Sequence, residues 1–157
     1  MKKLLILLLG VGLAINAELS PLDEALLVAV RGERLNEAAE LIIAGANVNL
    51  SFMETPVIFL ASSPEMLRLL IENGANPNAI GPDGGSLMHH YVKSSLDKFV
   101  QDLFDIAGSD LDLTITDGSG KTALDLAERL VFSYDPDVSY YFALATRDLL
   151  RSLTATS

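Results

Sequence analysis

The chain has 157 residues, with 21 Asp and Glu against 11 Lys and Arg for a net charge of −10, and it contains no cysteine. Its length suits one domain with a sizeable core. The acidity disfavours nucleic acid and anionic membrane surfaces as partners, and the absence of cysteine excludes disulfides, thiol chemistry and thiolate metal sites.

The N-terminus opens on Met1-Lys2-Lys3, a short basic start. An apolar run, LLILLLGVGLAI (4–15), follows and ends at Asn16-Ala17-Glu18. This is the layout of a secretory signal peptide. The run is 12 residues long, whereas a bilayer-spanning helix takes roughly 20. Cleavage after Ala17 is expected to leave residues 18–157 as a periplasmic or secreted protein that is monomeric when free and does not touch the membrane. Loss of Lys2 and Lys3 leaves nine cationic residues against 21 acids, a net charge of −12. Such a chain favours a basic protein partner, with an on-rate that falls as salt rises.

Beyond the leader the sequence repeats itself. GANVN (45–49) returns as GANPN (74–78) and, more loosely, as GSDLD (108–112), at spacings of 29 and 34 residues. An amphipathic stretch precedes each copy, and the apolar spacing predicts helices over 35–44, 64–73 and 96–107. The glycine after each stretch stands where a left-handed helix cap is wanted. A polar turn comes next, and then a second motif: ETPVIFLA (54–61), GSLMHHYV (85–92) and KTALDLAE (121–128). Thr55, Ser86 and Thr122 stand just ahead of apolar residues at helical spacing, where a hydroxyl can cap a short helix. Asp135-Pro136 then breaks the chain. Val138–Leu153 shows helical spacing at Tyr141, Leu144, Ala145, Leu149 and Leu153, with Arg147, Asp148 and Arg151 on the outer face.

In these motifs the chain resembles the ankyrin repeat, a unit of about 33 residues with T-P-L-H in its first helix and G-A-D-V-N after its second. Thr55-Pro56, Ser86-Leu87-Met88-His89 and Thr122-Ala123-Leu124-Asp125-Leu126-Ala127 carry the first motif, and the GANVN copies carry the second. The resemblance covers residues 20–131. It implies an all-α fold, an ankyrin-repeat solenoid of about four helix–turn–helix units with finger-like turns. Units are expected over 20–50, 51–82, 83–117 and 118–153, with the last one degenerate. It also implies that His89 makes structural hydrogen bonds to the neighbouring turn.

One stretch invites a different reading. GSGKT (118–122) ends like a nucleotide-binding P-loop, G-x-x-x-x-G-K-[ST]. The first glycine of that pattern would fall at Ile115, whose β-branched side chain cannot readily adopt glycine's backbone angles. No buried apolar strand precedes it either. Within the repeat, Asp117-Gly118-Ser119-Gly120 is a turn between units and Thr122 caps the next helix. His89 and His90 are adjacent, so they point about 100° apart on a helix and cannot easily share a metal. Ser119 lacks the G-x-S-x-G setting of a nucleophilic serine. No catalytic, metal or cofactor site is expected.

A stack of such units buries its apolar faces against neighbours and leaves an extended surface of fingers and first helices. The resemblance implies protein–protein recognition there. The candidate contact residues are Phe52 and Met53 on the first finger, Ile80 and Asp83 on the second, and Thr116, Asp117, Ser119 and Lys121 on the third. Phe52 and Met53 stand out because fingers are normally polar, whereas aromatic and Met side chains anchor interfaces. Tyr140, Tyr141 and Phe142 form an aromatic run expected to supply core packing. The expected role is that of a periplasmic immunity or inhibitor protein. The alternatives are a secreted host-directed effector scaffold, or an enzyme or cofactor-binding protein with an unrecognised site.

Overall fold

A computed structural model of the chain describes residues 19–94, 97–133 and 138–155, with the backbone alone at 97, 132, 133 and 138–142. The signal peptide expected over 1–17 and the side chains of Tyr140, Tyr141 and Phe142 lie outside the described residues.

The fold is mostly helical. Its α-helices are α1 (Pro21–Arg31), α2 (Leu35–Ile43), α3 (Pro64–Glu72), α4 (Leu87–Lys93), α5 (Asp97–Ala107), α6 (Ala123–Ser133) and α7 (Val138–Thr154). Two strands, β1 (Ser51–Phe52) and β2 (Thr55–Pro56), pair antiparallel, and 3-10 turns span Val57–Leu60 and Gly108–Asp110.

Local chemistry explains the boundaries. Ser20 caps α1 by accepting from the Asp23 N–H at 3.2 Å, and Pro21 fills the first helical position, where its missing N–H costs nothing. Ser63 and Pro64 start α3 the same way, with Ser63 Oγ accepting from the Met66 N–H at 3.2 Å. The ends of α2 and α3 match bond for bond. Ala46 donates to the Leu41 carbonyl at 3.0 Å and Ala75 to Leu70 at 2.9 Å, around Gly45 (φ 100°) and Gly74 (φ 91°). Glycine takes this left-handed angle without a Cβ penalty.

The helices form two rows. α2 packs on α3, α3 on α5 and α5 on α7, while α1, the Val57–Leu60 turn, α4 and α6 lie alongside. The pairs α1–α2, α4–α5 and α6–α7 tie the rows together. Leu26, Met66, Leu67, Leu70, Leu87, Leu103 and Leu150 belong to one core cluster that runs from α1 to α7. Each such side chain contributes about 1.5–3 kcal/mol by leaving water.

Asparagine joins consecutive turns. The Asn49 amide donates to the Gly74 carbonyl at 2.8 Å and accepts from the Asn76 N–H at 2.8 Å. Asn78 does the same one turn later, donating to the Asp110 carbonyl at 2.7 Å and accepting from the Asp112 N–H at 2.9 Å. A side-chain amide donates and accepts from one short planar head. Asn78→Ala is therefore expected to cost about 1–2 kcal/mol, read by urea denaturation. Asn78→Asp should not restore it, because a carboxylate has no proton for the Asp110 carbonyl. An Asn78→Asp protein as stable as the wild type would remove the amide from this role.

Two expectations are corrected. The helix expected over 54–61 is a hairpin strand and a single 3-10 turn, and Thr55 pairs with Phe52 without capping anything. The cause is length. Pro56 enters at ψ 140° and Ala61 leaves at ψ 120°, so four residues remain between them, too few to propagate an α-helix. Pro64 also holds Ser63 in extended backbone, at φ −132° and ψ 149°. Among the described side chains of α7, Ala143, Thr146 and Leu150 are buried and Leu144, Leu149 and Leu153 half-buried, so of the expected stripe Ala145 alone is exposed. Arg151 bonds to Glu128 of α6 at 3.0 and 2.8 Å.

Candidate functional site

Three turns, over 51–56, 80–86 and 116–122, carry the residues that the sequence singles out. The first is the β1–β2 hairpin, whose two-residue loop is Met53-Glu54. Both residues have positive φ, 49° and 64°. A tight two-residue hairpin of type I′ needs that sign at both positions and normally uses Asn-Gly to obtain it. Met and Glu adopt it only against the clash of Cβ with backbone. Met53 is 80% exposed and Phe52 38% exposed. An exposed thioether and an aromatic ring on a strained tip have no evident use in the core, and such strain clusters where chains bind.

The second and third turns share one backbone pattern. Gly81 donates to the Gly85 carbonyl at 2.8 Å, and Asp117 donates to the Lys121 carbonyl at 2.8 Å. Bridges Ile80–Ser86 and Thr116–Thr122 close them. The turns also stack closely, since a Cβ at Gly84 (φ 76°) would lie 3.2 Å from the Gly118 nitrogen. Ile80 is 46% exposed. Asp83, Thr116, Ser119 and Lys121 are exposed as well.

Asp117 faces inward and is buried. Its Oδ1 accepts from the N–H groups of Ser119 at 2.8 Å and Lys121 at 3.2 Å. Those N–H groups are the kind of donors a P-loop offers to phosphate. Here a carboxylate already occupies them, so GSGKT is a closed turn. Thr122 and Asp125 then cap α6 reciprocally, the Thr122 hydroxyl accepting from the Asp125 N–H at 3.1 Å and the carboxylate accepting from the Thr122 N–H at 2.9 Å.

Lys93, at the end of α4, was not signalled by any motif. Its ammonium lies 2.8 Å from Asp83 and 3.5 Å from Asp117, bridging the second and third turns. The Lys93 ammonium holds the Asp83 carboxyl below the usual range, and Asp83 in turn raises Lys93. Asp117 is held low first by the N–H of Ser119, then by that of Lys121, with Lys93 adding to both. A carboxylate whose folded pKa is depressed stabilises the fold above its unfolded pKa and loses that contribution as pH falls through the folded value. The melting temperature is therefore expected to drop below about pH 4. The drop should be smaller in Lys93→Met, where Asp83 loses its cation. Because Lys93 is raised, its contribution persists up to about pH 10.4 and is lost above it. An acid limb identical in both proteins would show that the bridge contributes nothing.

His89 is buried and joins the start of α4 to the turn before α6. Its Nδ1 accepts from the Ser86 N–H at 3.2 Å and lies 2.8 Å from the Ser86 hydroxyl. Its Nε2 lies 2.9 Å from the Lys121 carbonyl. An N–H can only donate and a carbonyl can only accept, which assigns the proton to Nε2. Both ring nitrogens are thus committed to the scaffold. His90 is exposed and its ring meets Phe59 at 5.5 Å.

Among the described residues no group of three His, Asp or Glu side chains could hold a metal ion, and no helix is long and apolar enough to cross a membrane. No family model matches the chain, and no curated protein matches its sequence.

Proposed function

We propose that this chain is an ankyrin-repeat binding module that holds another protein through its fingers and first-helix row. Three features support the repeat reading: the matched helix ends at Gly45 and Gly74, the paired asparagine bridges, and the common backbone of the second and third turns. A binding role rests on one observation above the others. Phe52 and Met53 stand exposed side by side on a hairpin tip with unfavourable backbone, whereas the other exposed large apolar side chains, Leu22, Val28, Leu35, Ile43 and Ile80, stand at positions without positive φ. The N-terminal sequence and the acidity favour an exported protein with a basic partner, in the manner of a periplasmic immunity or inhibitor protein.

The test is a pull-down with tagged protein from extracts of the producing cell's envelope, at low and at high salt. One dominant protein retained at low salt and released at high salt is the expected result, and it names the partner. Retention of nothing at either salt would sink the immunity reading.

A further inference from the structure

We propose that the groove between α1 and the first hairpin takes an extended peptide segment of the partner, one that carries a large apolar side chain flanked by Lys or Arg. This assignment rests on the protein-binding reading above and narrows it to one place and one chemistry. Leu27 and Leu50 are buried at the floor of the groove, and Val28, Phe52 and Met53 line it while 56%, 38% and 80% exposed. Its volume is about 1310 Å³. Small-molecule pockets run at about 300–1,000 Å³ and enclose their ligand, so an open groove of this size, lined by apolar and polar side chains alike, fits a length of polypeptide better.

Charge specifies the flanking residues. Asp23, Glu24 and Glu54 stand on the groove, and among the described residues no Lys or Arg lines it. Asp23 is committed to the fold, accepting from the Asn47 N–H at 2.7 Å. Glu24 and Glu54 make no ion pair among the described residues. A purely apolar ligand would strip water from these carboxylates and give nothing back, which is costly. A cation beside the apolar anchor replaces that water with an opposite charge and steers the approach. A second copy of this acidic chain would bring like charge to the same rim.

The experiment selects twelve-residue peptides from a random phage-displayed library on the purified protein. Selected sequences should carry Leu, Ile, Met or an aromatic residue with Lys or Arg within two positions. A synthetic peptide of that sequence should lose about tenfold or more in affinity against Phe52→Ser and Met53→Ser. It should also weaken against Glu24→Lys and Glu54→Lys, and bind Ile80→Ser as it binds the wild type. All these substitutions are at exposed positions, and an unchanged melting temperature checks that each variant is folded. Selected peptides without cations, or peptides indifferent to Phe52 and Met53, would overturn the assignment. So would failure to select any peptide, or self-association abolished by Phe52→Ser, which would give the groove to a second copy. If the selected peptides answer instead to Ile80 or Lys121, the groove assignment falls and the binding reading stands. If the pull-down also retains nothing, both fall.

Discussion

His89→Leu is expected to destabilise the protein by about 2–4 kcal/mol, roughly the sum of the lost hydrogen bond to the Lys121 carbonyl, which keeps the Asp117 N–H, and one buried donor, the Ser86 N–H, left without an acceptor. The ring is 1% exposed and sits between Ser86, which starts α4, and the Lys121 carbonyl, which ends the turn before α6. Leucine fills the space but offers neither an acceptor for the Ser86 N–H nor a donor for the carbonyl. Ser86 is itself buried, so no water easily takes the place of the ring nitrogen. His89→Gln should be intermediate. Glutamine at the third helical position can still accept from the cap residue's N–H, but its head is too short to serve both partners. His90→Gln is the control: the neighbouring ring is exposed, and its loss should stay within about 0.5 kcal/mol. Urea denaturation at neutral pH measures all three. A His89→Leu protein as stable as His90→Gln would mean that the bond between the units is replaceable, and the role assigned to His89 would be withdrawn.

What was legible in the sequence was local. Helices over 35–44 and 64–73 announced themselves through apolar spacing and a following glycine, and the structure starts and ends them within one residue of those bounds. Ser86 and Thr122 were readable as caps because each hydroxyl stands just ahead of apolar residues at helical spacing. Contacts between turns were harder to read. Lys93 meets Asp83 and Asp117 only because the second and third turns stack at close range, and no pattern within one turn reports that distance. Asp117 looked like a turn residue available to a partner, yet its carboxylate turns back onto the N–H groups of Ser119 and Lys121. Asp83, another candidate contact residue, is engaged likewise, by the Gly85 N–H at 3.2 Å and the Lys93 ammonium at 2.8 Å. The 54–61 stretch has the motif of a helix, but the proline at 64 ends it before α-helical bonding can be established. The face of α7 was only partly legible, since several rotations bury part of an apolar stripe, and the packing against α6 that buries Ala143 and Leu150 leaves Ala145 exposed.

Recasting the first hairpin tip as Met53→Asn with Glu54→Gly should raise stability while it lowers affinity for the partner. Both residues sit at positive φ, 49° and 64°, where a residue with a Cβ is disfavoured by about 1–2 kcal/mol. Asn-Gly is the pair that a type I′ turn prefers, so relief of that clash is expected to yield about 1 kcal/mol net, the glycine giving part of it back through a freer unfolded chain. In a domain of this size that is a rise of about 2–4 °C in melting temperature. The same change deletes a Met side chain that is 80% exposed and that lines the groove. Loss of one well-placed interface anchor typically weakens binding by tenfold or more, about 1.4 kcal/mol. The single substitutions separate the two effects. Glu54→Gly keeps the Met53 anchor, so its affinity loss should be the smaller and should vanish at high salt, where only a rim charge has been removed. Met53→Asn alone should lose affinity at every salt concentration. A double variant that is more stable and binds as tightly as the wild type would show that the strained tip is not the contact, and the strain would then need another cause. A double variant that is less stable would mean that Met53 packs onto the chain itself. Only a gain in stability joined to a loss of binding ties the unfavourable backbone at residues 53 and 54 to recognition.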